Sequence, residues 1–117
     1  HLPLSVPVYQ VLLSLSDREL HGYAAILDIA ERTAGEVKLT ASTLYGAVKR
    51  MLGGGMIREL DERPAPELDD SRRRYYAITP FGRAVLREEA ERLDRALRYA
   101  MAKDVLTDAD LSKERTG

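Results

Sequence analysis

The sequence predicts a mainly α fold carrying one small β-hairpin, and three observations predict it. Three apolar stripes at helical spacing follow one another in the first half of the chain, the periodicity then switches to that of short strands, and a much longer helical stripe comes last. With 117 residues, 44% hydrophobic and 32% charged, the chain can bury one core, and its balance is neither that of a disordered polyampholyte nor that of a membrane protein. No apolar run approaches the roughly 18 residues a membrane-spanning helix needs, and no secretory leader is visible. The expectation is a soluble, cytoplasmic protein.

The first helix is expected within residues 4–16, where Leu4, Val8, Val11, Leu12 and Leu15 fall at spacings of three and four and Pro7 sits in the tolerant first turn. Residues 16–20 are polar and read as a turn. Tyr23, Ile26, Leu27 and Ala30 then repeat the helical spacing, with Gly35 as the stop. Thr40 can cap a third helix whose inner side is Leu44, Val48, Met51 and Leu52, and Gly53, Gly54 and Gly55 end it. Three short helices with a short polar link between the last two resemble a helix-turn-helix core.

Residues 56–60 and 74–78 read as two strands. The stretch between them, rich in prolines and acids, reads as a long hairpin tip. Thr79 and Pro80 supply a cap and a first-turn proline for the last helix. Its stripe of Leu86, Ala90, Leu93, Leu97 and Met101 demands a partner, and the remaining elements already bury one another, so the expected partner is a second copy. The expected division is residues 1–79 as one unit, 80–106 as a dimerisation helix and 107–117 as a polar, frayed tail.

Catalysis finds little support. Cysteine is absent and the histidines number two, so thiolate chemistry, cysteine metal sites and the usual nucleophile–base pairs have few candidates. His21 has no companion ligand at metal-binding spacing and is expected to cap the second helix. The acidic pairs Asp69–Asp70 and Glu88–Glu89 read as solvated surface. No enzyme activity, metal or cofactor is expected.

The formal net charge of -1 gives no general attraction to nucleic acid, so any such role rests on local placement. With Leu44, Val48 and Met51 turned inward, the third helix turns Ser42, Gly46, Lys49 and Arg50 outward, flanked by Thr43 and Tyr45. Small residues let a helix approach the floor of a DNA major groove; threonine and tyrosine reach base edges, and lysine and arginine reach phosphate or guanine. An exposed mid-helix glycine costs about 1 kcal/mol against alanine and needs a reason. Arg72, Arg73 and Arg74 project at the hairpin base, where they can grip phosphates, enter a minor groove or neutralise Glu67, Asp69 and Asp70. Tyr23, at a helix start, is a further phosphate-contact candidate.

In this order the pieces resemble the PadR family of transcriptional regulators. The resemblance is carried by Leu12-Leu13-Ser14-Leu15, His21-Gly22-Tyr23, Thr43-Leu44-Tyr45, the passage from Lys49 to Leu52 followed by Gly55-Met56-Ile57, and the run from Arg73 to Gly82. It implies a winged helix-turn-helix that binds a palindromic double-stranded DNA operator as a homodimer, usually to repress transcription, with a small-molecule effector in some members. Gly46 stands where the family commonly has proline, and Ser42 where it commonly has glycine. Tryptophan is absent, so the tryptophan-built drug pocket of some relatives has no counterpart of that kind. The alternative is a winged helix that docks proteins through the same face.

Overall fold

A computed structural model describes residues 2–60 and 74–111 of the chain. The elements run α1 (Val6–Leu15), β1 (Leu20–His21), α2 (Gly22–Arg32), α3 (Ala41–Gly53), β2 (Ile57–Glu59), β3 (Tyr75–Ile78) and α4 (Pro80–Ala102). The fold is thus mainly helical with a small antiparallel sheet, in the order β1-β3-β2.

Each helix start has the chemistry its sequence provides. The Ser5 side chain accepts from Val8 N–H, His21 Nδ1 from Ala24 N–H at 3.1 Å, Thr40 Oγ1 from Thr43 N–H at 3.1 Å and Thr79 Oγ1 from Gly82 N–H at 3.0 Å. Each bond satisfies one of the amides left unpaired at a helix N-terminus. Helix α2 stops where Ala34 and Gly35 enter the left-handed region, at φ +53° and +80°, and the Gly35 amide donates to Ala30 C=O at 2.7 Å.

The core lies where α1, α2 and α3 meet, around fully buried Leu12, Ile29, Leu44 and Met51. The stripes of α1 and α3 fall largely as expected, with Ala47 joining Leu44, Val48 and Met51, and Leu52 left partly exposed. Helix α2 is a correction. Its buried face is Gly22, Ala25 and Ile29, while Tyr23 and Leu27 point outward at 60% and 52% exposure. Gly22 and Ala25 on the inner face let α2 lie close to its neighbours and carry less hydrophobic signal than the tyrosine and leucine beside them, while Ile29 fills the core.

A polar clamp joins α1 to α2. Asp28 accepts from Ser14 Oγ at 2.7 Å, Arg32 Nε at 2.8 Å and Arg18 Nη2 at 3.0 Å, and Arg32 reaches on to the Gln10 carbonyl and side chain at 3.1 Å. Burial of the Asp28 carboxyl raises its pKa, but the hydrogen bonds from Arg32 and Ser14 and the charges of Arg32 and Arg18 outweigh it, leaving the pKa below its ordinary value.

The expected turn over residues 16–20 ends in a strand. Leu20 pairs with Tyr76 and His21 with Tyr75, which adds β1 to the outer side of β3. Two residues show no period, so only the tertiary pairing reveals them. On the other side of β3, Ile57 faces Ile78, Arg58 faces Ala77 and Glu59 faces Tyr76. The expected hairpin tip lies outside the described residues.

Helix α4 begins inside the body of the fold and leaves it. Val85, Leu86 and Glu89 are buried. Glu89 corrects the solvated reading of Glu88–Glu89: only 2% of its side chain is exposed, and it accepts from Leu4 N–H at 2.8 Å and from Arg92. The hydrogen bonds from Arg92 lower its pKa against the opposing effect of burial, with Leu4 N–H adding to the lowering. A buried carboxylate tied to both α4 and the N-terminal segment thus pins residue 4 to the helix.

The helix ends at Ala102, earlier than residue 106, because Asp104 takes a left-handed conformation at φ +61° and Val105 N–H turns back to Ala100 C=O at 2.9 Å. A capped turn follows, in which Thr107 N–H donates to Asp110 at 2.9 Å; residues 112–117 lie outside the described residues. Among the described residues no helix is long and apolar enough to cross a membrane.

Candidate nucleic-acid interface

Helix α3 is held at its start by Thr40 and on its inner side by Leu44, Ala47, Val48 and Met51, so its outer face is set rigidly. Ser42, Thr43, Tyr45, Lys49 and Arg50 are all exposed on it. Thr43 Oγ1 also takes a hydrogen bond from Thr40 Oγ1 at 3.0 Å, which fixes its rotamer. Around Gly46, a built Cβ would find only the Arg50 guanidinium, 3.7 Å away. Among the described residues nothing therefore demands glycine at that position.

Tyr45 is only 51% exposed because its ring leans onto α2. A Cβ on Gly22 would stand 2.9 Å from the Tyr45 hydroxyl. Gly22 thus lets the ring lie across the start of α2, and Tyr23, the next residue, borders the same surface. Tyr45 and Tyr23 frame one end of the face that Lys49 and Arg50 extend.

Part of the basic surface is neutralised by the protein's own acids. Arg18 and Arg32 pair with Asp28, Arg87 with Glu91, Arg92 with Glu89 and Arg98 with Asp94. Lys49 and Arg50 have no ion pair among the described residues, a property they share with Lys38, Arg58, Arg83, Arg95 and Lys103; what sets them apart is their place on the outer face of α3. Arg74 is exposed at the hairpin base and pairs with Glu59 at 3.3 Å. Arg72 and Arg73 lie outside the described residues.

The hairpin is anchored on the core by Tyr76, which is 5% exposed. Burial pushes its hydroxyl pKa up, the charges of Glu59 and Tyr45 push the same way, and Arg74 pulls it down. Tyr75 stands edge-on to His21, with ring centres 5.2 Å apart. The hairpin is thereby tied to the α2 cap as well as to the core. The sequence did not single out Glu59, although its place opposite Tyr76 on the neighbouring strand follows once the register is known.

The proposed dimer stripe divides along its length. Leu86 belongs to the core of its own chain, Ala90 and Leu93 are exposed, and Leu97 and Met101 are half-buried.

Residues 11–88 match the family described as Transcriptional regulator PadR-like family. A stretch of 85 residues is 36% identical to an uncharacterized 37.1 kDa protein in transposon TN4556 of Streptomyces fradiae; it covers 73% of this chain and 22% of that relative, so the chain spans about a fifth of its length. Among solved structures, a PadR family transcription regulator from Clostridium difficile is 24% identical with a TM-score of 0.68, covering 87% of this chain and 100% of that one. Bacillus subtilis PadR in complex with operator DNA is 22% identical with a TM-score of 0.61, covering 74% of this chain and 47% of that one. These likenesses place the fold among PadR-type winged helices, and the family is one of transcriptional regulators, not of enzymes. With two thirds of its length matching, the chain belongs to the PadR-like family of transcriptional regulators.

Proposed function

We propose that the chain acts as a homodimeric, sequence-specific DNA-binding repressor, with α3 in the major groove. The observation that carries this reading is the outer face of α3, where exposed Lys49 and Arg50, without an ion pair among the described residues, stand beside the small residues Ser42 and Gly46. Ser42, Thr43 and Tyr45 face base edges, Lys49 and Arg50 take phosphate or guanine, and Arg72, Arg73, Arg74 and Tyr23 take flanking phosphates or the minor groove. The operator DNA bound by Bacillus subtilis PadR, of similar fold, supports the same class of partner.

Dimerisation falls to the part of α4 beyond Leu86, where exposed Leu93 and half-buried Leu97 and Met101 continue the stripe past the body of the fold. Two copies give a two-fold symmetric reader suited to a palindrome. A small-molecule effector would relieve repression by changing how the two readers are spaced.

Selection of bound duplexes from a random pool tests the reading. A recurring palindromic motif is the expected result, and a pool that stays random contradicts it. Sedimentation at micromolar concentration tests the dimer, which a monomer contradicts. A second reading, protein docking through the same face, draws on the exposure of Tyr23, Leu27 and Tyr45 together. It predicts no salt-sensitive complex with any duplex.

A further inference from the structure

Arg74 Nη1 lies 3.3 Å from Glu59 Oε1, with 72% and 43% of the two side chains exposed. Glu59 is directly opposite Tyr76 across the β2–β3 ladder, and Arg74 precedes Tyr76 by two residues, so all three side chains share one face of the hairpin. That face is the inner one, turned toward the core that α3 helps to build, since Tyr76 and Ile57 on it are both buried. An acid therefore stands on the side of the hairpin next to the α3 surface, and it already holds an arginine that would otherwise meet phosphate.

An ion pair this exposed contributes little in water, so a phosphate can take Arg74 from Glu59. The transfer leaves the Glu59 carboxylate unpaired beside a polyanion. Its repulsion acts on DNA of any sequence, because phosphates carry no sequence information. We propose that Glu59 is an affinity-restraining residue of the DNA site: it holds Arg74 between binding events and weakens binding to every duplex, so that residence depends on base contacts from α3. The inference rests on the DNA-binding reading above and adds the role of an acid to it.

The test is Glu59→Gln, which keeps the side-chain shape and removes the charge, with Arg74→Ala and the double variant completing a cycle. Binding is read by fluorescence anisotropy on a labelled duplex from the selected pool and on a shuffled duplex, over a series of salt concentrations. Glu59→Gln is expected to tighten both complexes by roughly threefold to tenfold at low salt, with the gain fading as salt rises. In the Arg74→Ala background the gain should be clearly smaller. An unchanged affinity, a gain independent of salt, or an equal gain without Arg74 overturns the inference while leaving the DNA reading intact. Wild-type protein that binds neither duplex overturns both. Thermal unfolding of Glu59→Gln close to wild type is also expected, and a large loss would mean that Glu59 serves the fold instead.

Discussion

The Tyr45 hydroxyl rests against Gly22, so that a Cβ at position 22 would lie 2.9 Å from that oxygen and 2.9 Å from Leu44 Cδ2. Two short motifs far apart in sequence thereby fix each other: the residue that opens α2 is a hydrogen atom wide on one side because α3 places its tyrosine there. The orientation of Tyr45 on the candidate DNA face is a property of α2 as much as of α3.

Gly22→Ala is expected to displace Tyr45 and Leu44 together. Overpacking of this kind costs about 1–3 kcal/mol. Chemical denaturation should register the loss, and discrimination between selected and shuffled duplexes should fall further than binding to the shuffled one. A variant with wild-type stability and discrimination would show that the contact positions nothing.

Gly46→Ala should move stability and DNA affinity in opposite directions. The site has room for a methyl group, so the helix should gain about 0.5–1 kcal/mol from the lost backbone freedom of glycine. The same methyl group would hold α3 away from the groove floor and weaken operator binding. A higher Tm with undiminished affinity would remove close approach as the reason for glycine.

Gly82→Ala tests the launch of α4. A Cβ there would run into the Met56 carbonyl oxygen, which also accepts from Thr79 N–H at 3.0 Å, and Thr79 Oγ1 donates to Gly55 C=O at 2.6 Å. The start of α4 is thus docked on the α3–β2 turn, and the nearest atoms a Cβ would meet are Met56 backbone, which cannot swing aside as a flexible side chain would. Destabilisation at or above the usual 1–3 kcal/mol of overpacking is expected in urea unfolding, and a neutral result would contradict this packing.

The α1–α2 clamp should show in acid. Asp28 has a folded pKa below its ordinary value of 3.8, so its contribution is complete above 3.8 and disappears as pH falls through the lower folded value. Asp28→Asn should lower Tm at neutral pH, and the gap from wild type should close below pH 3.8. A gap that persists unchanged in strong acid would mean that the ion pairs of Asp28 contribute nothing.

Local signals made most of the fold legible. Thr40 and Thr79 mark helix starts through side-chain oxygens, and Gly35 marks a stop through its positive φ, chemistry that acts within a few residues. What the sequence concealed depends on distant partners. Strand β1 exists because β3 offers it an edge, Glu89 is buried because residue 4 returns to it, and the inner face of α2 includes Gly22 and Ala25, whose value lies in close approach. For the site, the outward set on α3 follows from helix geometry alone, whereas the lean of Tyr45 onto Gly22 and the hold of Glu59 on Arg74 require the assembled chain.

The central claim, that α3 reads DNA through its exposed cations and small residues, is tested most directly by the affinity of wild type and a Lys49→Ala, Arg50→Ala double variant for selected and shuffled duplexes across salt. Wild type should prefer the selected duplex by about 10³-fold or more. Its log affinity should fall linearly with log salt, and the double variant should lose tight binding together with about two phosphates' worth of slope. A wild-type protein without preference, or a double variant with unchanged affinity and slope, would contradict the account.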